Sequence, residues 1–370
     1  MLPALKTGRL SLADVFPSCL AALRGEENSL GLPRVRTAIV LLADGLGTAA
    51  LKGRAGHART LMASLASIDS GFPTTTASAL ATLTTGVRPG QHGMVGYSVL
   101  DPATDSIVHQ LSGWNESIDP LTWQSRPTVF EQAKDAGFRA TALGPARYAD
   151  TPFTRAVLRG ASYVPAATIP DRFAAVVTLA ATSGAPHLIY VYVPELDTAA
   201  HAHGVDSDEW THALEMLDSA VRSLALPRDA GLIVTADHGV VDIPERAHIT
   251  YDIVPELMAG IAHVGGEPRC LQLYFSADAD RETTIQAWRD SEGDRSWVVT
   301  RDEAIEAGWF GEVRPEVLPR IGDLIIAARK GIAYYGSKDS PRSRQMVGQH
   351  GSWSAAELQV PLLKFGAFGG

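Results

Sequence analysis

Three short runs of uninterrupted apolar residues, each followed closely by an aspartate, constrain this chain more than any other feature. Thr37–Ala43 (TAIVLLA) delivers Asp44, His187–Val193 (HLIYVYV) leads to Asp197, and Gly231–Ala236 (GLIVTA) delivers Asp237. A continuous apolar run has no polar side to offer water. As a strand it must be covered on both faces, as in a parallel sheet between helices. Arg139–Leu143 (RATAL) is a weaker fourth strand, and helical periodicity falls between the runs at Thr128–Ala136, Asp171–Ser183 and Glu209–Leu226. The alternation predicts an α/β chain with a doubly wound, mostly parallel central sheet.

After about residue 251 the rhythm changes. Cys270–Phe275 (CLQLYF) alternates at period two, Asp280–Ser291 reads as a helix and Trp297–Thr300 as a short strand. Residues 255–320 are therefore expected to form a small α+β insertion within one catalytic domain spanning 1–370. The chain then returns with a strand at Asp323–Ala328, followed by a loop over Ser337–Gly348.

Composition removes several classes of function. Against 41 acidic residues stand 32 basic ones, a net charge of −9, so no general nucleic-acid-binding surface is expected. Cys19 and Cys270, the two cysteines, supply neither a disulfide framework nor a thiolate zinc site. No stretch approaches the roughly 20 apolar residues that span a bilayer. The first residues lack the apolar centre of a secretory signal, which leads to the expectation of a cytoplasmic protein.

Ligands of open parallel sheets bind at the carboxyl ends of the strands, where Asp44, Asp197 and Asp237 are expected to converge. Any one of them alone reads more readily as a helix cap. Three together repel one another unless a cation or a shared proton offsets them. Histidines accompany them. Asp197 and His201 are one helical turn apart, His238 follows Asp237 directly, and His350 sits between glycines. Aspartate and neutral histidine are the donor set of Zn²⁺ and related divalent ions. The other eight histidines, at 57, 92, 109, 187, 203, 212, 248 and 263, are assigned to structure.

Phe72-Pro73-Thr74-Thr75-Thr76 runs into a helix expected to start near Thr76 or Ala77, so Thr76 stands at its positive end, where an anion is favoured. These threonines also read as ordinary caps. A competing motif is Gly45-Leu46-Gly47-Thr48-Ala49-Ala50, a G-x-G-x-x-A turn after a strand. It admits a different class, a non-catalytic dinucleotide-binding protein. Its ribose-binding acid would be Asp69, which lies late for the role.

In order, the motifs Leu41-Leu42-Ala43-Asp44-Gly45, Phe72–Thr76, Thr85-Gly86, Pro89, His92-Gly93, Tyr192–Asp197 with His201 and Gly204, Thr235–Gly239 and His350-Gly351 cover nearly the whole chain. They resemble the alkaline phosphatase superfamily, most closely its nucleotide pyrophosphatase/phosphodiesterase branch. The resemblance implies a three-layer sandwich and two divalent metal ions, usually zinc. One ion would be held by Asp44, Thr76, Asp237 and His238, the other by Asp197, His201 and His350. Thr76 would be the nucleophile, forming a covalent phospho-threonine during cleavage of a small-molecule phosphodiester or pyrophosphate. Phosphonate hydrolases and phosphomonoesterases of the same superfamily are the nearest enzymatic alternatives. The sulfatase branch does not fit, because neither cysteine lies in a C-x-P-x-R setting.

Charge favours a diester. Two divalent cations against three aspartates leave one positive charge, which an ionised Thr76 cancels. No arginine lies in Phe72–Gly86 to meet a dianion, although one from elsewhere, Arg269 for instance, would reverse the preference. Specificity is assigned to loops such as Tyr97–Trp123 and to the 255–320 insertion.

Overall fold

A seven-stranded sheet runs through the centre of the computed structural model, which describes residues 2–4 and 8–369. Across the sheet its strands are Ala66–Asp69, Gln359–Gly366, Ala230–Thr235, Thr37–Ala43, His187–Val193, Arg139–Gly144 and Ser162–Pro165. Thr37–Ala43 pairs in parallel with the neighbour on each side, Ala43 lying opposite Val193 and Leu42 opposite both Tyr192 and Thr235. The strands beyond His187–Val193 are also parallel. Gln359–Gly366 runs the other way, antiparallel to both of its neighbours.

The three apolar runs occupy the middle of this sheet, as continuous burial requires. Every residue of Thr37–Ala43 and Ala230–Thr235 is buried, and His187–Val193 is buried except for a half-buried Tyr192. Helices flank the sheet and complete a three-layer α/β sandwich. Phe16 of helix Val15–Arg24 meets Phe130 of helix Val129–Asp135 edge-on at 5.0 Å and Tyr190 of the sheet at 6.1 Å. Helix Asp208–Arg222 buries Trp210, Leu214, Leu217 and Val221, one helical stripe, together with Asp218, which accepts the Leu61 N–H, and leaves Asp208, Glu209 and Glu215 to solvent. Thr128, at the start of Val129–Asp135, and Thr168, before Ile169–Ala181, form capping boxes with Glu131 and Asp171.

The second unit is a four-stranded antiparallel sheet in the order Ile261–Glu267, Cys270–Phe275, Leu324–Ala328, Ser296–Thr300. Helix Arg281–Glu292 covers it through Trp288. Leu324–Ala328, expected to mark the return to the main domain, instead pairs inside this small sheet. Its composition explains the difference. Leu324 and Ile326 point into the small core with Trp288, while Ile325 and Ala327 belong to the main core. A strand buried on both faces reads alike in either sheet. Ile261–Glu267 escaped the sequence reading because its two glycines and mixed exposure break the period-two pattern.

Among the described residues no helix is long and apolar enough to cross a membrane. Both cysteines are buried and free.

Candidate active site

Two of the three aspartates leave the parallel strands at their carboxyl ends, and the third sits in the first turn of helix Glu195–His203. They arrive with oxygens that nothing satisfies. Asp237 accepts the backbone N–H of Gly45 (3.1 Å) and of His238 (3.0 Å) through Oδ1. Asp44 accepts the Tyr192 hydroxyl through Oδ2. Asp237 Oδ2, Asp44 Oδ1 and Asp197 Oδ1 are buried without a hydrogen-bond partner. Burying carboxylate oxygens in this way is costly unless something cationic meets them. The chain goes to some trouble to pack them closely. Gly45 adopts φ 72°, and a Cβ there would lie 3.1 Å from Asp197 Cα.

Histidines complete two clusters, Asp44–Asp237–His238 and Asp197–His201–His350, in each of which the donor atoms lie within 4.8 Å of one another. Their hydrogen bonds set the tautomers. His201 Nδ1 donates to the Gly348 carbonyl at 2.8 Å and His350 Nδ1 to the Thr74 carbonyl at 2.8 Å. With Nδ1 so engaged, Nε2 is the nitrogen each ring turns toward a cation, and that of His201 already lies 3.2 Å from Asp197 Oδ2. This is the arrangement by which proteins orient metal-binding imidazoles. The His238 and His350 rings stack 3.6 Å apart at 20°, which joins the clusters edge to edge. His201 and His350, far apart in sequence, have ring centroids 5.3 Å apart.

Thr76 is the first residue of helix Thr76–Thr85, which follows Thr75 and is buried along its whole length. Its Oγ1 lies 3.2 Å from His238 Nε2, which is 3.6 Å from Asp44 Oδ1 and 3.5 Å from Asp237 Oδ2. All seven residues singled out from the sequence therefore gather in one place. The eight histidines set aside lie outside both clusters. His92 is held by Thr82 and the Met94 N–H, and His187 by Thr141.

The electrostatics are those of a cation site. Burial, then the charges of Asp237 and Asp197, pushes Asp44 well above the usual carboxylate range. Asp197 feels the same burial but is drawn below that range by His201, His238 and His350. Burial takes His238 down to about 4. For His350 burial works downward too, but the hydrogen bond and charge of Glu267 prevail and raise it to about 9. Asp44 and His350 thus favour their protonated forms, and divalent ions bound here would take the place of those protons. The orphaned oxygens, free imidazole lone pairs and absence of thiolate match the O/N donor sets of divalent metals.

Three partners were missed in the sequence. Tyr192 had a signal, since parallel register places it beside Leu42, two residues before Asp44. Thr74 acts through its carbonyl, which any residue could supply. Glu267 had none. It comes from the small sheet, its Oε2 3.3 Å from His350 Nδ1, and it fits because Gly351 opposite has no side chain.

A cavity of about 340 Å³ opens over the clusters. Asp44, Thr76, Asp197, His201 and His350 form its floor, while Tyr97, Leu111, Phe153, Val157 and Leu158 line its wall. Among the described residues that line it there is no lysine or arginine. Arg269 does not reach in. It is buried in a two-bond pair with Glu357 (2.8 Å each) and donates further to the carbonyls of Lys330 and Ile332.

The G-x-G-x-x-A turn is used otherwise than for a dinucleotide. A Cβ on Gly47 would lie 2.7 Å from Gly239 Cα and 2.8 Å from the Ala356 carbonyl. The close approach that glycine permits there is to this chain's own backbone, where a pyrophosphate would have to lie.

The sequence model of the family described as type I phosphodiesterase / nucleotide pyrophosphatase matches residues 38–353. Among solved structures, a murine ectonucleotide pyrophosphatase / phosphodiesterase 5, an inactive variant in complex with AMP, superposes with a TM-score of 0.66 at 18% identity. The match covers 88% of this chain and 87% of that one. Phosphonoacetate hydrolase from Sinorhizobium meliloti, in complex with phosphonoformate, gives a TM-score of 0.67 at 20% identity over 90% of this chain and 91% of the other. At these identities the likeness is one of fold.

Proposed function

The chain belongs to the type I phosphodiesterase / nucleotide pyrophosphatase family, and on that premise we propose that it is a two-metal hydrolase that cleaves phosphodiester or pyrophosphate bonds through Thr76. The observation that carries this reading is the position of the Thr76 hydroxyl, 3.2 Å from His238 at the head of a buried helix and beside two adjoining Asp/His clusters. Asp44, Asp237, His238 and Thr76 would hold one divalent ion; Asp197, His201 and His350 would hold the other. Zinc suits this donor set. Bound there, the pair would lower the pKa of a ligating hydroxyl and neutralise charge on the attacking and leaving oxygens.

The chain's own part is to aim and to exclude. Thr76 Oγ1 attacks phosphorus in line, an O–P bond forms, and the bond to the leaving oxygen breaks opposite it, the Thr76 hydroxyl proton ending on the leaving group. First-turn N–H groups of the Thr76–Thr85 helix face the phosphoryl oxygens without titrating. Water then attacks the phospho-threonine, phosphate or its monoester departs, and Thr76 recovers its hydroxyl proton. The 261–328 unit reads as a cap, since Glu267 and Pro268 reach the cavity from it.

A singly charged diester suits a cavity that, among the described residues, is lined by no lysine or arginine, with Arg269 committed to Glu357. The test is turnover of matched aryl diesters, aryl monoesters and phosphonates by zinc-loaded protein, alongside metal content. Two ions per chain with diester hydrolysis support the proposal. No bound metal, or no phosphoester turnover with metal present, removes it.

A further inference from the structure

Between His92 and Val99 every residue is buried except Tyr97, which is half-buried and borders the cavity over the clusters. The stretch leading to it is irregular, and side chains from distant segments hold its carbonyls. Arg320 donates to the Gly93 carbonyl at 3.2 Å, Gln272 Nε2 to that of Val95 at 2.8 Å, and Gln110 Nε2 to that of Gly96. Just beyond the ring, Ser98 Oγ donates to the Gly266 carbonyl at 2.8 Å. Both amides are used at each end. Gln272 Oε1 accepts the Gly322 N–H at 2.8 Å, and Gln110 Oε1 accepts Trp123 Nε1 at 3.0 Å. A Cβ on Gly96 would lie 2.7 Å from Gln272 Nε2, so the close fit depends on glycine there. Buried amides paired at both ends specify one conformation. Here they fix the direction of a single ring.

That ring ends in a hydroxyl with no hydrogen bond among the described residues. The hydroxyls of Tyr192 and Tyr163, by contrast, donate to Asp44 and to the Pro145 carbonyl. Tyr190 and Thr75 also border the cavity with unpartnered hydroxyls, but at 1% and 0% exposure they are closed to an entering ligand. Tyr97 is open to one. Burial, then the charge of Glu267, raises its pKa, so at neutral pH it is a donor. Glu267 itself lies 3.3 Å from His350, which sets Tyr97 near the Asp197–His201–His350 cluster rather than out along the wall. A phosphoryl group in transit spreads its charge over three equatorial oxygens. Metal ions and the first-turn N–H groups would meet it from the floor, and among the described residues no lysine or arginine lines the cavity to meet it from another side. A donor fixed beforehand needs no reorganisation as that charge develops. We propose that Tyr97 is a catalytic residue whose hydroxyl donates to a non-bridging phosphoryl oxygen, and that Gln272 and Gln110 are positioning residues that aim it. The inference rests on the hydrolase reading above and adds to it a group that neither metal cluster contains.

Tyr97→Phe removes one oxygen and keeps the ring, whose neighbour His109 lies 5.5 Å away between centroids. In zinc-loaded protein acting on an aryl phosphate diester, kcat should fall by about 10²-fold, the loss expected on removing one preorganised donor. KM should move by less than about threefold, with two metal ions still bound. Gln272→Leu should lower kcat in the parent but add little in the Tyr97→Phe background, because its effect passes through the hydroxyl. Gln110→Leu, acting on the next carbonyl but one residue, makes the same comparison if that variant fails to fold. Equal losses in both backgrounds would overturn the positioning role. For Tyr97 itself, a kcat within about threefold of the parent, or a rise in KM alone, overturns the inference and leaves the hydrolase standing. If the parent turns over no phosphoester, the hydrolase reading falls and orthovanadate binding judges the residue, since its five-coordinate form presents the same equatorial oxygens. Binding about tenfold weaker to Tyr97→Phe than to the parent supports the inference, and equal binding overturns it.

Discussion

Replacing Glu267 with glutamine should weaken one metal site and spare the other. Glu267 is buried at the end of the small sheet, with Oε2 3.3 Å from His350 Nδ1 and its stem packed where Gly351 leaves room. The same Nδ1 donates to the Thr74 carbonyl at 2.8 Å, so the ring keeps its tautomer and orientation when the carboxylate goes. Glutamine matches the volume and still offers an oxygen, which isolates the lost negative charge. Carboxylate partners behind metal-binding imidazoles contribute about tenfold to a hundredfold in affinity, roughly 1.4–2.7 kcal/mol. The penalty should fall on the Asp197–His201–His350 cluster, because the Asp44–Asp237–His238 group has no contact with Glu267 among the described hydrogen bonds and ion pairs. Zinc competition against a chromophoric chelator resolves the two classes. Against the pull of burial, Glu267 raises His350 to about 9, so the competition is run above that pH and no proton competes for the ring in either protein. At saturating zinc, kcat should be largely retained. Equal weakening of both sites would mean general disruption, and no weakening of either would refute the argument.

Thr76→Ala should lower turnover by on the order of 10³-fold or more while two metal ions remain bound, since three other donors hold each ion; undiminished turnover would pass the nucleophile's role to Thr75 or to water. Diesters should exceed monoesters in kcat/KM by about tenfold or more for matched aryl substrates, and a tenfold preference for the monoester, about 1.4 kcal/mol, would contradict the charge argument. Zinc uptake should release a proton at neutral pH. Burial lowers His350, but Glu267 more than compensates and holds it at about 9 in the metal-free protein, so an entering cation displaces that proton. Affinity at this site should therefore climb by roughly tenfold per pH unit up to about pH 9, and calorimetry in buffers of different ionisation enthalpy that shows no proton release would be the adverse result. The folded pKa lies above the ordinary 6.5, so this group's stabilisation of the metal-free fold is complete below about pH 6.5 and disappears as pH rises through about 9.

Legibility in the sequence followed burial pattern and local spacing. Thr37–Ala43 and His187–Val193 were bounded to the residue because a fully covered strand has apolar residues at every position. The helix opened by Thr128 came within one residue at each end, whereas the one read as Glu209–Leu226 ends at Arg222, four residues earlier. Leu324–Ala328 was found as a strand but assigned to the wrong sheet, since its alternate residues feed two different cores. At the site, Asp44, Asp197, His201, Asp237 and His238 were legible from strand ends and helical spacing. His350 depended on glycines and family order. Glu267 and the Thr74 carbonyl were illegible, because one arrives through tertiary packing of the cap and the other has no side-chain signature. That Arg269 would not reach in was equally illegible, because its partner Glu357 lies 88 positions away in sequence.

Stereochemistry at phosphorus tests the central claim, that Thr76 attacks before water does. A single diastereomer of an aryl phosphorothioate diester, hydrolysed in oxygen-18 water by the zinc-loaded protein, would give a product whose configuration counts the displacements. Two in-line steps through a phospho-threonine predict overall retention. Inversion would mean one direct attack by water and would take the nucleophile's role from Thr76.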